Sequence, residues 1–245
     1  MNNFRVLIFI GVIIAIITSP VFGQDSIQLD VSNYNSNTQN DTANWEMMEV
    51  QSDQLTNYRL VDDSRGQQVI KAESNSAAGG LIYKKRIDPR EYPIIEWRWK
   101  VEGVLKNGDL RKKDGDDYPA RIYITFDYDK SKLGFGDRMK YEAIKTFTSH
   151  NVPLRAINYI WANQADRGTI TPNPFTDWVY MIAIQSGSKK SGQWIVETRN
   201  ILNDYRKAFG EHPPDITGIA IMTDSDNTGG SATAYYGDII FKQAH

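Results

Sequence analysis

Residues 115–127 read GDDYPARIYITFD, and the fold turns on their pattern. A polar turn with two adjacent acids, Asp116 and Asp117, passes through Pro119 into a strict alternation. Ala120, Ile122, Ile124 and Phe126 fall on one side, and Arg121, Tyr123, Thr125 and Asp127 on the other. A period of two is that of a β-strand with one buried face. Proline is tolerated where a strand begins, because a missing amide donor there breaks no ladder. One side builds a core; the other is too polar and aromatic to build a second.

The same signal recurs in both directions along the chain. Strands are predicted over residues 58–61, 68–72, 81–84, 94–101, 156–161, 178–185, 193–198, 217–222 and 232–241, with Gly-, Asp- and Pro-bearing turns between them. Residues 94–101, IIEWRWKV, put Trp97 and Trp99 on a core face. Glu96, Arg98 and Lys100 then point outward, expected on the same polar face as Arg121 and Tyr123. Pro172 and Pro174 mark a loop. The clearest helix is 201–209: Asn200 caps it, Ile201, Leu202, Tyr205 and Phe209 form its apolar stripe, and Gly210 ends it. A second is expected from Asp137 to about Thr146. These elements predict an all-β fold, a β-sandwich or jelly roll with one or two short helices. Almost no connection can hold a crossover helix, which argues against a doubly wound sheet.

Composition narrows the function classes. The chain has 245 residues, of which 40% are hydrophobic and 24% charged, enough for one core. Its 28 basic and 30 acidic residues leave no global positive field to draw nucleic acid. Cysteine is absent, so disulfides, thiolate metal sites, a cysteine nucleophile and a lipidated cysteine are excluded. Arg5 precedes a short apolar run, residues 6–17, and Val21-Phe22-Gly23 fits a cleavage site before Gln24. Residues 1–23 therefore read as a signal peptide, 24–44 as a flexible polar segment, a linker or a loosely attached first strand, and 45–245 as a single sandwich domain. The expected destination is the periplasm or the medium, with no membrane span after cleavage.

Several blocks are longer and more unusual than a strand pattern requires. They are Trp97-Arg98-Trp99, residues 115–121 (GDDYPAR), residues 197–200 (ETRN), Asp204-Tyr205 and residues 222–229 (MTDSDNTG). Together they resemble the bacterial family called domain of unknown function 3047, over about residues 45–241. The resemblance implies an exported protein with a sandwich similar to galactose-binding-like and other carbohydrate-binding modules. It brings no catalytic residues.

Acids and arginines gather at the strand ends. Arg98, Asp116, Asp117, Arg121, Tyr123, Glu197, Arg199, Asp224 and Asp226 form the candidate ligand-binding set. Arginine offers a planar fork for anionic or hydroxyl-rich groups. So many costly polar groups at strand ends call for a shared partner, a carbohydrate or another cell-envelope component. Three readings follow: a glycan-binding module, a polysaccharide-cleaving enzyme, or a buried structural network. The enzyme reading needs Glu197 paired with Asp116 or Asp117 across one cleft, or a lyase base such as Tyr123 or Tyr236 beside an arginine. Asp224-x-Asp226-Asn227-x-Gly229 resembles the start of a calcium loop, but Tyr235 stands where a bidentate Glu is needed. Calcium is thus the one cofactor considered, against a hydrogen-bonded turn. His150, His212 and His245 have no metal or triad spacing.

Overall fold

The computed structural model describes residues 26–34, 45–48, 50, 52–139, 141 and 154–244. The expected signal peptide lies outside them. The helix expected from Asp137 largely does too; its described start is helical over residues 135–139.

Besides that helical start and three 3-10 turns, thirteen strands and one complete α-helix are described. They are β1 (Ser26–Leu29), β2 (Glu46–Met48), β3 (Asn57–Asp62), β4 (Gln68–Asn75), β5 (Gly80–Tyr83), β6 (Ile94–Val101), β7 (Arg121–Phe126), β8 (Ala156–Ala162), β9 (Ile170–Asn173), β10 (Thr176–Ser186), β11 (Ile195–Asn200), α1 (Ile201–Phe209), β12 (Ile216–Met222) and β13 (Ser231–Lys242). A six-stranded sheet has the order β11-β6-β13-β4-β3, with β1 also on β13. A seven-stranded sheet has the order β2-β5-β12-β7-β8-β10-β9. The architecture is the predicted β-sandwich.

Alternation is what holds the two sheets together. Trp97, Trp99, Ile122, Ile124, Tyr159 and Trp161 all join one buried cluster. Trp97 of β6 stacks on Tyr159 of β8 with centroids 5.2 Å apart, and Trp99 meets Trp161 at 5.8 Å. At about 150–250 Å² a ring and about 25 cal/mol per Å², burying these four contributes on the order of 15–25 kcal/mol before ordering costs. The Trp97–Trp99 face is therefore core, as expected.

Two short strands, β2 and β9, escaped the sequence reading, and β1 is the attached first strand that was one alternative for its segment. Ser26–Leu29 pairs with β13, and Leu29 and Val31 are buried, so the segment 24–44 is not flexible throughout. Its two apolar side chains in a polar stretch are the reason. β2 pairs with β5. β9 contains Pro172, where a loop was expected; it lies at the sheet edge, where proline costs no ladder bond. β8 and β10 run parallel, and β9 occupies the connection between them.

The α1 helix closes one end of the sandwich. Asn200 Oδ1 accepts from the Asn203 amide at 3.0 Å, and Gly210 adopts a left-handed φ of 73° that allows its amide to reach the Arg206 carbonyl. Tyr205 packs on Phe126 with centroids 4.6 Å apart.

Candidate functional site

The candidate residues do not share one cleft. Asp116, Asp117, Arg121, Tyr123, Asp224 and Asp226 come together; Arg98, Glu197 and Arg199 do not. The cause is the sandwich itself. β6 and β7 lie in different sheets and bury alternate residues in the same core, so their polar faces point to opposite sides of the molecule. Alternation says in or out, but not which sheet.

Arg98 accordingly crosses the outer face of the six-stranded sheet. Its Nη1 donates to Asp63 at 2.7 Å and its guanidinium lies 4.4 Å from the Trp194 ring. Asp63 is held at about 2 by the Arg98 hydrogen bond and by backbone amides. Gly237 makes the crossing feasible, since a Cβ there would come 2.5 Å from Arg98 Nε.

Glu197 and Arg199 face inward from β11, an edge strand. Glu197 is opposite Trp97 in the ladder, and its Oε1 accepts from Gln185 Nε2 at 2.5 Å. Burial raises its pKa, against the lowering effect of Gln185 and Arg167. Arg199 holds Asp204 of α1 at 2.5 and 2.8 Å, and Tyr159 donates to the same carboxylate at 2.9 Å. Inward charges on an edge strand also discourage pairing with another chain. Glu197 and Asp116 thus stand on opposite sides of the seven-stranded sheet, and the two-carboxylate pair has no common cleft.

The remaining cluster sits on the outer face of that sheet, at one end. Arg121 is 2% exposed. Its Nε donates to Asp224 Oδ1 at 2.9 Å and its Nη1 to the Tyr123 hydroxyl at 3.1 Å, while Nη2 makes short bonds to Asp224 Oδ2 and the Asp116 carbonyl. The guanidinium also lies 4.4 Å from the Tyr118 ring. Asp224 is itself bound by the Tyr118 amide at 3.0 Å. Burial pushes the Asp224 carboxyl up to about 8; Arg121 pulls it down, and the neighbouring Asp117 and Asp116 push it up. Burial likewise takes Tyr123 to about 12, against the pull of Arg121. At neutral pH Tyr123 therefore remains a phenol, a hydrogen-bond donor and a poor base.

Asp117 ties two loops together. It accepts from the Asn227 and Thr228 amides at 3.3 and 2.6 Å, and its carbonyl accepts from Asn163 Nδ2 at 2.7 Å. Asp117, Asp224 and Asp226 each place a carboxylate oxygen within 4.8 Å of the others. Two of the three are already engaged, Asp224 by Arg121 and Asp117 by backbone amides. The amides of the 224–229 turn are thus bound by Asp117 from the facing loop.

Part of this face was not anticipated. Residues 105–118 fold over the outer surface, with Leu110 and Tyr118 packed on Ile160, Ala162, Met181 and Ala183. Beside them Asn173 Nδ2 donates to Asp116 Oδ2 at 3.0 Å, and Asn173 Oδ1 accepts from the Phe175 amide at 3.0 Å. The Phe175 ring is 50% exposed. Asn158, opposite Tyr123 in the ladder, is buried with no partner for its Oδ1. The signal for Asn158 was an amide inside the otherwise apolar run AINYIWA, residues 156–162. Asn173 and Phe175 carried none, because their strand read as a loop.

The fold and this face define a two-sheet β-sandwich with a buried arginine–aspartate cluster under the outer surface of its larger sheet. The chain belongs to the family described as Protein of unknown function (DUF3047), whose model matches residues 43–240, as the motif blocks suggested. No curated protein matches it. Among solved structures, the glycoside hydrolase domain of Endo-D (Spr0440) from Streptococcus pneumoniae R6 is similar over 82% of this chain, at 10% identity and a TM-score of 0.39. This chain spans 22% of that protein's length. The carbohydrate recognition domain of Emp47p aligns over 90% of this chain and 96% of its own, at 14% identity and a TM-score of 0.40. A lectin from Bauhinia forficata, in complex with GalNAc, aligns over 89% and 98%, at 12% identity and a TM-score of 0.36.

Proposed function

We propose that this chain is an exported carbohydrate-binding module whose site is the outer face of the seven-stranded sheet around Phe175, Asn173, Asp116 and Tyr123. One observation carries the reading. Phe175, 50% exposed, donates its backbone amide to Asn173, and Asn173 in turn binds Asp116, which is 8% exposed and retains acceptor capacity. A ring face takes the apolar side of a pyranose, while a neighbouring amide and carboxylate take its hydroxyls. Arg121 has a positioning role: it fixes Asp116 and Tyr123 from beneath and is too buried to meet a ligand. Export rests on the apolar run behind Arg5.

The test is titration calorimetry of the chain from residue 24 against a panel of neutral and acidic glycans. Phe175→Ala and Asn173→Ala are expected to weaken binding roughly tenfold or more, as central contacts do, with the melting temperature retained. Absence of binding across the panel, or unchanged affinity in both variants, refutes the assignment.

A further inference from the structure

The loop that overhangs this face carries a run of exposed cations. Residues 105–113 read LKNGDLRKK, four cations and one acid in a chain whose net charge is −2. Lys106, Arg111, Lys112 and Lys113 are all exposed. Lys112 lies 3.6 Å from Asp109, whereas neither Lys106 nor Lys113 has a carboxylate in ion-pair range among the described residues. Lys113 instead places its Nζ 5.4 Å from the centre of the Phe175 ring.

The loop is held rigidly. Gly108 sits where a Cβ would come 1.9 Å from Asn163 Nδ2, and Asn163 Oδ1 accepts from the Leu105 amide at 2.8 Å. Gln164 Nε2 donates to the Lys106 carbonyl at 2.9 Å, and Leu110 is buried beneath. The lysines are therefore displayed on a fixed frame, which limits the backbone ordering that binding must otherwise supply. Lys106 and Lys112 also line an open polar basin of about 510 Å³, together with Asn107, Gln164 and Asn227. Asp109 and Asp114 share its wall and balance its two lysines; Lys113, outside the basin on the Phe175 side, adds a cation that no carboxylate pairs among the described residues.

We infer that the ligand of this face is an anionic polysaccharide, carboxylated or sulfated. It runs from the Phe175 platform past Lys113 into the basin of Lys106 and Lys112. The inference rests on the carbohydrate-binding reading and names the substrate class of the same site. Lysine acts on such a chain as a point charge, so binding falls with ionic strength as screening shortens to less than about 10 Å above 0.1 M salt.

The experiment compares polygalacturonate, dextran sulfate and a neutral mannan by affinity electrophoresis and calorimetry, at low salt and at 0.5 M salt. It uses the chain from residue 24 and its Lys106→Ala/Lys112→Ala/Lys113→Ala variant. The expected result is binding to one or both anionic polymers, strongly reduced by salt, and roughly tenfold weaker in the variant, in line with three exposed ion pairs lost. Which anionic polymer binds separates carboxylate from sulfate recognition. Unchanged anionic binding in the variant overturns the role of the lysines. Salt-insensitive binding of mannan by both proteins overturns the substrate class and leaves the carbohydrate site standing. No binding to any of the three, with both proteins folded, removes both readings.

Discussion

Arg121→Met should destabilise the protein in a manner that grows with pH. The substitution keeps an unbranched side chain of similar length but leaves Asp224, 2% exposed, without its guanidinium. What remains to it is the Tyr118 amide. Breaking one partner from a buried pair costs about 3–5 kcal/mol, because a charge is left uncompensated. For a chain of this size that lowers the melting temperature by on the order of 10 °C. The pH dependence follows from the position of Asp224, up at about 8. A carboxyl held above its unfolded value favours the folded state in acid and opposes it as pH rises through that folded value. Without Arg121 the carboxyl loses its largest downward pull, keeps only that of the Tyr118 amide, and rises further. At pH 5.5 the carboxyl is neutral in both proteins; above about pH 8 the wild type ionises against arginine and the variant does not, so the deficit is larger by about 1 kcal/mol at pH 8.5. Urea denaturation of both proteins at these two pH values measures the difference. Adding Asp224→Asn to Arg121→Met should recover most of the deficit at pH 8.5. A deficit of equal size at both pH values, or no recovery in the double variant, refutes the account of the pair.

Two further outcomes are expected. Gly108→Ala drives a methyl into Asn163 and 3.0 Å from the Asp117 carbonyl, so it should cost about 1–3 kcal/mol and loosen the 105–117 loop, read as faster amide exchange at Leu105. Glu197→Gln should leave the protein as stable as the wild type at pH 4 and more stable at pH 8. Burial raises this carboxyl, so its ionisation opposes folding as pH rises, and a glutamine oxygen can still accept from Gln185. Thermal melts across that range check it, and a variant less stable at pH 8 contradicts it.

Much of the fold was legible because it is written in a period of two. The strand beginning at Arg121, the Trp97–Trp99 face and the Asn200-capped helix each declare themselves within ten residues. β1 was legible only as one of two alternatives, and β9 was not legible. One hides two apolar residues in a polar tract, and the other carries a proline that only its edge position excuses. For the site, GDDYPAR and MTDSDNTG were read as neighbours and are joined, through Arg121–Asp224 and Asp117 to the Asn227 and Thr228 amides. Arg98, Glu197 and Arg199 were placed with them because local alternation resembles shared direction. Sheet membership is set by long-range pairing such as β11 with β6, and no local pattern encodes it.

The pairing of β13 has a consequence for how the protein comes into being. This twelve-residue strand lies between β6 on one side and β4 and β1, end to end, on the other. Its neighbours precede it by as many as two hundred residues, Ser26 opposite Lys242 at the extreme. Until β13 is made the six-stranded sheet lacks its middle, and β1, β6 and the β3–β4 pair have no common strand on which to assemble. Closure waits for residues 231–242 and then joins distant parts of the chain at once. Such a topology folds slowly and late. It keeps the six-stranded sheet open until residues 231–242 have been made.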